Sequence, residues 1–268
     1  MHRPLIIANW KMNTSLADAI VLATQVKNGV ENLDVDVVLC PPFVWLVPLA
    51  EILEHAPANI SLGAQNMWFA DKGPMTGEIS PLMLKGLTKY VILGHSERRL
   101  HFGESNALIN DKIHAALHHD LRPIVCVGEL KKMQEVKRSR GRPTKLEVRS
   151  NILRQLENTI KGISRENIGK IIFCYEPVWA ISAGTPESRH PADGAYSNLV
   201  IEKLRQVLAK KYGVPTAEEA KFIYGGSVEP SNVNEFLYQP EIDGALVGGA
   251  SLNMKEFITI CREASGRE

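Results

Sequence analysis

The chain has 268 residues, with 31 Lys and Arg against 30 Asp and Glu and a formal net charge of +1 at pH 7. That balance argues against nucleic acid or an anionic membrane as the main partner, since either calls for a basic excess. A 44% hydrophobic and 23% charged composition fits a globular chain and not a disordered one. No apolar run approaches the ~20 residues of a membrane span, and the N-terminal stretch is expected not to be a signal peptide.

Taken in chain order, short β-branched or apolar runs predict strands at Leu5–Trp10, Val35–Cys40, Ile60–Gln65, Tyr90–Gly94, Arg122–Val127, Lys170–Tyr175, Lys221–Tyr224 and Gly244–Val247. Each is almost continuously apolar, as a strand covered on both faces should be. Helical spacing fills the intervals. Leu16, Ile20, Leu22, Ala23 and Val26 suit a helix capped by Ser15, and Leu199, Ile201, Leu204 and Leu208 suit another ending at Gly213. Eight βα units predict parallel strands joined by right-handed crossovers. They can close into a barrel or stay open as a doubly wound sheet. The count of eight favours the barrel, as does the lack of a Gly-x-Gly-x-x-Gly fingerprint or a Walker A loop. No Pro-, Gly- or Ser-rich linker divides the chain, so a single (β/α)8 domain over residues 1–268 is expected.

Two stretches stand apart. Asn66–Glu78 is a long loop carrying Met67, Trp68, Phe69 and Met75, and exposed apolar side chains there would point to a protein partner. Lys131–Arg149 holds eight basic residues against two acidic ones. It reads as a solvated helix–loop–helix outside the barrel; a patch for nucleic acid would be expected to interleave aromatics. The cysteines (Cys40, Cys126, Cys174, Cys261) lie far apart with no Cys-x-x-Cys pair. Three sit in apolar runs and read as buried thiols, so a reducing, cytoplasmic location is expected and a zinc site is not.

Chemistry in such barrels sits at the C-terminal ends of the strands, and this chain places polar residues there. The first strand runs into Asn9-Trp10-Lys11, the fourth into Gly94-His95-Ser96-Glu97, the sixth into Tyr175-Glu176-Pro177, the seventh into Gly225-Gly226-Ser227 and the eighth into Gly248-Gly249. Singly, Lys11 reads as a loop residue, His95 as a structural histidine and Glu176 as a turn former; together they converge on one face. Loops after strands seven and eight that lack side chains, followed by a short turn, suit a phosphate ester.

The motifs Asn9-Trp10-Lys11-Met12-Asn13, Gly94 to Arg99, Cys126-Val127-Gly128-Glu129, Tyr175 to Ile181, Tyr224 to Val228 and Leu246 to Leu252 closely resemble the triosephosphate isomerase family, from residue 5 to about residue 260. The resemblance implies a glycolytic and gluconeogenic isomerase that interconverts dihydroxyacetone phosphate and glyceraldehyde 3-phosphate without cofactor or metal. A related four-carbon ketose-phosphate isomerase is the alternative, followed by a non-catalytic phosphate-binding barrel. By match to the family's motifs, Glu176 is the base, His95 polarises the carbonyl, Lys11 steadies negative charge, Asn9 holds Lys11, and Glu97 supports them. Ser182, Ser227, Gly248 and Gly249 would hold the phosphate. The resemblance also implies a homodimer through loop 66–78, with Thr76 near Asn13 of the partner subunit. It implies a lid after strand six too, in a family that is itself a standard example of such gating. Here the lid tip departs from the family's Ile-Gly-Thr-Gly, reading Ile181-Ser182-Ala183-Gly184, and Pro186 lies in its second hinge. Altered closure with intact chemistry is expected.

Overall fold

A computed structural model describes residues 3–128, 145–178 and 192–266. Its eight strands fall within two residues of the predicted ones: β1 (Leu5–Asn9), β2 (Asp36–Cys40), β3 (Ile60–Ala64), β4 (Tyr90–Leu93), β5 (Arg122–Val127), β6 (Ile172–Tyr175), β7 (Lys221–Tyr224) and β8 (Gly244–Val247). All neighbours are parallel and β8 pairs with β1, so the sheet closes into a barrel in chain order.

Alternation along each strand divides the core in two. Ile7, Val38, Ile92, Ile124, Cys126, Ile172, Cys174 and Ile223 form one buried cluster that fills the barrel. Their neighbours, such as Ile6, Val37, Phe173, Tyr175 and Phe222, join the larger cluster under the helices. Both faces of every strand are covered, which is why the strands read as continuous apolar runs.

The helices are α1 (Leu16–Val30), α2 (Leu46–Leu53), α3 (Pro81–Leu84), α4 (Ser96–His101), α5 (Asn106–His118), α6 (Lys145–Thr159), α7 (Arg165–Ile168), α8 (Gly194–Tyr212), α9 (Val214–Glu219), α10 (Val233–Leu237) and α11 (Met254–Ser265). Ser15 caps α1 in a reciprocal box with Asp18. The buried stripe of α1 is Ala19, Leu22, Ala23, Val26 and Val30; Leu16 and Ile20, expected on it, are exposed because this 3.6-residue stripe passes beside them. Gly213 stops α8 at φ +93°, a backbone that favours glycine.

Loop 66–78 is less exposed than expected. Met67 is buried in the outer core and Trp68 is half-buried, its backbone N–H bonded to Ile79 O at 2.7 Å. Phe69 and Met75 remain exposed. All four cysteines are buried, including Cys261 on α11. Residues 131–144 of the basic stretch lie outside the described residues; α6 takes up the rest. Among the described residues no helix is long and apolar enough to cross a membrane.

Candidate active site

The C-terminal end of β1 hands the chain to Lys11 in a strained form. Lys11 has φ +53°, the left-handed region that long side chains avoid. Two contacts hold it there. Its N–H donates to Asn9 Oδ1 at 3.1 Å, and its carbonyl accepts from Gln65 Nε2 at 2.9 Å, while the same Nε2 also reaches Cys40 O at 2.9 Å. With the backbone fixed, Lys11 Nζ meets Glu97 Oε1 at 2.6 Å.

At the end of β4, Gly94 turns at φ +71°, where a Cβ would also press on Ile109 and Arg99. The turn sets His95 as the N-cap of α4, with Nδ1 accepting the Glu97 N–H at 3.2 Å. An acceptor Nδ1 puts the ring proton on Nε2, the nitrogen that faces Glu176. Arg99 ties this corner down. Its Nε donates to Gly94 O at 2.7 Å and its Nη2 to Cys126 O at 3.1 Å. Burial pushes the Glu97 carboxyl up, but the hydrogen bond and charge of Lys11 outweigh it and hold the group below the ordinary carboxylate value.

Glu176 follows β6 and is 1% exposed. Its Oε2 accepts the Ser96 N–H at 2.8 Å, at the N-terminus of α4, where a carboxylate is favoured. Oε1 lies 3.1 Å from His95 Nε2, yet out of line, and has no hydrogen-bond partner. A buried carboxylate oxygen without a partner is costly and uncommon. Gly128 makes room for this arrangement, since a Cβ there would overlap the Glu176 carbonyl.

A cavity of about 400 Å³ opens between these strand ends and those of β7 and β8. It is lined by Asn9, Lys11, His95, Gly225, Gly226, Ser227, Gly248 and Gly249 among others. A Cβ at Gly226 would collide with the Tyr224 ring, and one at Gly248 would stand 3.6 Å from Lys11 Cε. The Gly248 backbone thus lies beside the lysine side chain, with no side chain of its own between them. A 3-10 turn, Gly249–Leu252, closes this end, with Ser251 Oγ donating to Gly248 O at 2.6 Å.

Six of the expected residues (Asn9, Lys11, His95, Ser227, Gly248 and Gly249) thus line one cavity. Glu97 and Glu176 stand just behind it, against Lys11 and His95. Ser182 and the rest of the expected lid, from Trp179 onward, lie outside the described residues. The sequence reading missed Gln65 and the space-making role of Gly128. Gln65, a polar residue ending an apolar strand, carries the same signal that singled out Asn9.

The chain is similar to known proteins over almost its whole length. A model of the family described as triosephosphate isomerase matches residues 4–264. A triosephosphate isomerase from Dehalococcoides mccartyi is 44% identical over 266 residues, covering 99% of this chain and 98% of that one. One from Herpetosiphon aurantiacus is 46% identical over 264 residues, covering 98% and 99%. Among solved structures, a triosephosphate isomerase from Bartonella henselae superposes with a TM-score of 0.82 at 34% identity, covering 98% of this chain and 99% of its own. With the family model matched over residues 4–264 and a solved relative superposing over 98% of the chain, this chain belongs to the triosephosphate isomerase family.

Proposed function

We propose that the chain interconverts dihydroxyacetone phosphate and glyceraldehyde 3-phosphate through an enediolate. The observation that carries this reading is the unpartnered Oε1 of buried Glu176, 3.1 Å from His95 Nε2 and beside a cavity that Lys11 enters. A carboxylate oxygen with a free lone pair is a base, and in a dry site it can take a proton from carbon next to a carbonyl. Glu176 turns from the Ser96 N–H toward the cavity, removes the proton from C1 and returns it to C2, while His95 Nε2 gives its proton to the C2 oxygen and takes the hydroxyl proton from the C1 oxygen. Negative charge builds on the two substrate oxygens as it does so. His95 Nε2–H and the Lys11 ammonium meet that charge, held in place in advance by the α4 cap and by Asn9, Gln65 and Glu97. The glycine-lined end at Gly226–Ser227 and Gly248–Gly249, with Lys11 as its cation, receives the phosphate.

A homodimer through loop 66–78 belongs to the same proposal. Exposed Phe69 and Met75 on that loop support it, as does Met12, 96% exposed directly beside Lys11. Four buried free thiols support a cytoplasmic location. Turnover of glyceraldehyde 3-phosphate, coupled to reduction of the ketone product, tests the activity. Fast turnover that is lost in Glu176→Gln is expected. Turnover of a four-carbon ketose phosphate alone would overturn the substrate assignment, and sedimentation as a monomer at micromolar concentration would overturn the dimer.

A further inference from the structure

Cys174 has no part in the chemistry above, yet it lies directly under the base. Cys126 and Cys174 are register partners on β5 and β6, and both side chains belong to the cluster inside the barrel. Glu176, two residues beyond Cys174, points to the same side by strand alternation. Their thiol sulfurs and a Glu176 carboxylate oxygen all lie within 4.8 Å of one another, and all three residues are buried. Ligand atoms around a tetrahedral ion with metal–sulfur bonds of about 2.3 Å stand about 3.8 Å apart, so closing the cluster takes a movement of about 1 Å or less. Glu176 Oε1, which makes no hydrogen bond, is free to turn toward the two sulfurs. Gly225 lines the cavity and its backbone packs directly on the cluster, where a Cβ would lie 2.4 Å from Cys174 Sγ and 3.0 Å from Glu176 Cγ, so a single glycine separates the cluster from the cavity.

We infer that Cys126, Cys174 and Glu176 form an inhibitory site for a thiophilic divalent cation, zinc or cadmium, beneath the catalytic cavity. Two thiolates and a carboxylate are a donor set such ions prefer over magnesium or calcium. Two metal–sulfur bonds and one metal–oxygen bond form, the two thiol protons leave to solvent, and water completes the coordination. No electrons are exchanged. Burial pushes both thiols up from their ordinary values, so without metal they stay protonated and inert; the ion supplies the charge that makes thiolates stable there. Bound metal ties up the Glu176 carboxylate and stops proton transfer. The inhibition rests on the proposed role of Glu176, whereas the binding does not.

The full chain, stripped of metal with a chelator and kept reduced with a phosphine, is titrated with cadmium chloride. Thiolate-to-cadmium charge-transfer absorption and isomerase rate are read on the same samples. One cadmium per chain with thiolate absorption, matched by loss of rate and reversed by chelator, is the expected result. Cys174→Ala and, as an independent variant, Cys126→Ser should each lose that absorption and raise the half-inhibiting concentration by at least about tenfold, measured against each variant's own metal-free rate. Absence of thiolate absorption in the unmodified chain, or absorption that persists in both folded variants, would overturn the site. Absorption without loss of rate would overturn the inhibition. A metal-free chain with no isomerase activity would instead break the functional reading, leaving the absorption titration to decide the site.

Discussion

Two buried carboxylates flank α4, and their surroundings differ. Beyond its C-terminus, Glu104 Oε1 accepts from Arg98 Nε and from Lys112 Nζ, both at 2.6 Å, and Lys112 also donates to Asn66 Oδ1 at 2.9 Å. Burial pushes Glu104 up, but the two cations outweigh it and hold its carboxyl below the ordinary value. At the N-terminus of the helix, Glu176 faces one backbone N–H and a histidine nitrogen, with no lysine or arginine among the described residues bonded to it; each carboxylate leaves one oxygen without a hydrogen bond, Oε2 of Glu104 and Oε1 of Glu176. Where charge serves the fold it is cancelled on the spot. Where it serves chemistry, it is held by a backbone N–H and a histidine and not by a bonded cation, so it stays available to accept a proton.

The sharpest way to break this contrast is to neutralise each carboxyl in turn. Glu176→Gln should lower kcat by ~10²–10⁴-fold, the usual worth of a general base. Its urea midpoint should hold or rise, because the buried charge that is removed has no lysine or arginine bonded to it among the described residues. Glu104→Gln should do the reverse. It strands Lys112, which is fully buried, and should cost roughly 3–5 kcal/mol in stability. The folded enzyme's kcat should change little. Equal stability losses in the two variants, by urea titration, would erase the distinction between the sites.

A smaller effect tests how closely the base is placed. Gly128→Ala sets a methyl where the Glu176 carbonyl now lies, so the end of β6 must move. A shift of ~1 Å at the base costs ~10²-fold in rate. The expected outcome is a fall in kcat of about that size with the overall fold retained, read by kinetics and far-ultraviolet circular dichroism.

How far the sequence discloses all this follows from which contacts are local. The strands were legible because each is apolar on both faces, and Asn9, Lys11, His95 and Glu176 because a barrel collects its chemistry where strands end. The α5 face was not read from the sequence: Ile109, Ile113 and Ala116 mark its buried stripe, and Lys112 falls on it by spacing, although composition alone sends a lysine to the surface. What stayed hidden depends on register between strands distant in sequence. Cys126 and Cys174 are 48 positions apart in the chain and become neighbours only when β5 and β6 pair at that register. Gly128 and Glu176 meet for the same reason. The left-handed backbone of Lys11 is hidden in another way, since it is imposed by Asn9 and Gln65 against the residue's own preference.

The smallest expected effect sharpens the comparison from its exposed side. Glu97 also carries a paired charge, but its side chain is 39% exposed and its partner Lys11 is 31% exposed, so solvent and salt weaken what the pair contributes. Its carboxyl is held below the unfolded value of 4.5. A carboxyl lowered on folding contributes stability above its unfolded value and loses that contribution as pH falls through the lower folded one. Glu97 should therefore add about 0.2–1 kcal/mol at neutral pH, fading from about pH 5 downward and with added salt. Urea titrations of Glu97→Gln and the unmodified chain should differ by that amount at pH 7 and low salt and converge in acid. A gap that persists unchanged in acid, or that survives high salt, would show that Glu97 stabilises the fold through packing and not through its charge. The rim of the site would then resemble neither the cancelled charge of Glu104 nor the exposed-pair electrostatics assigned to it here.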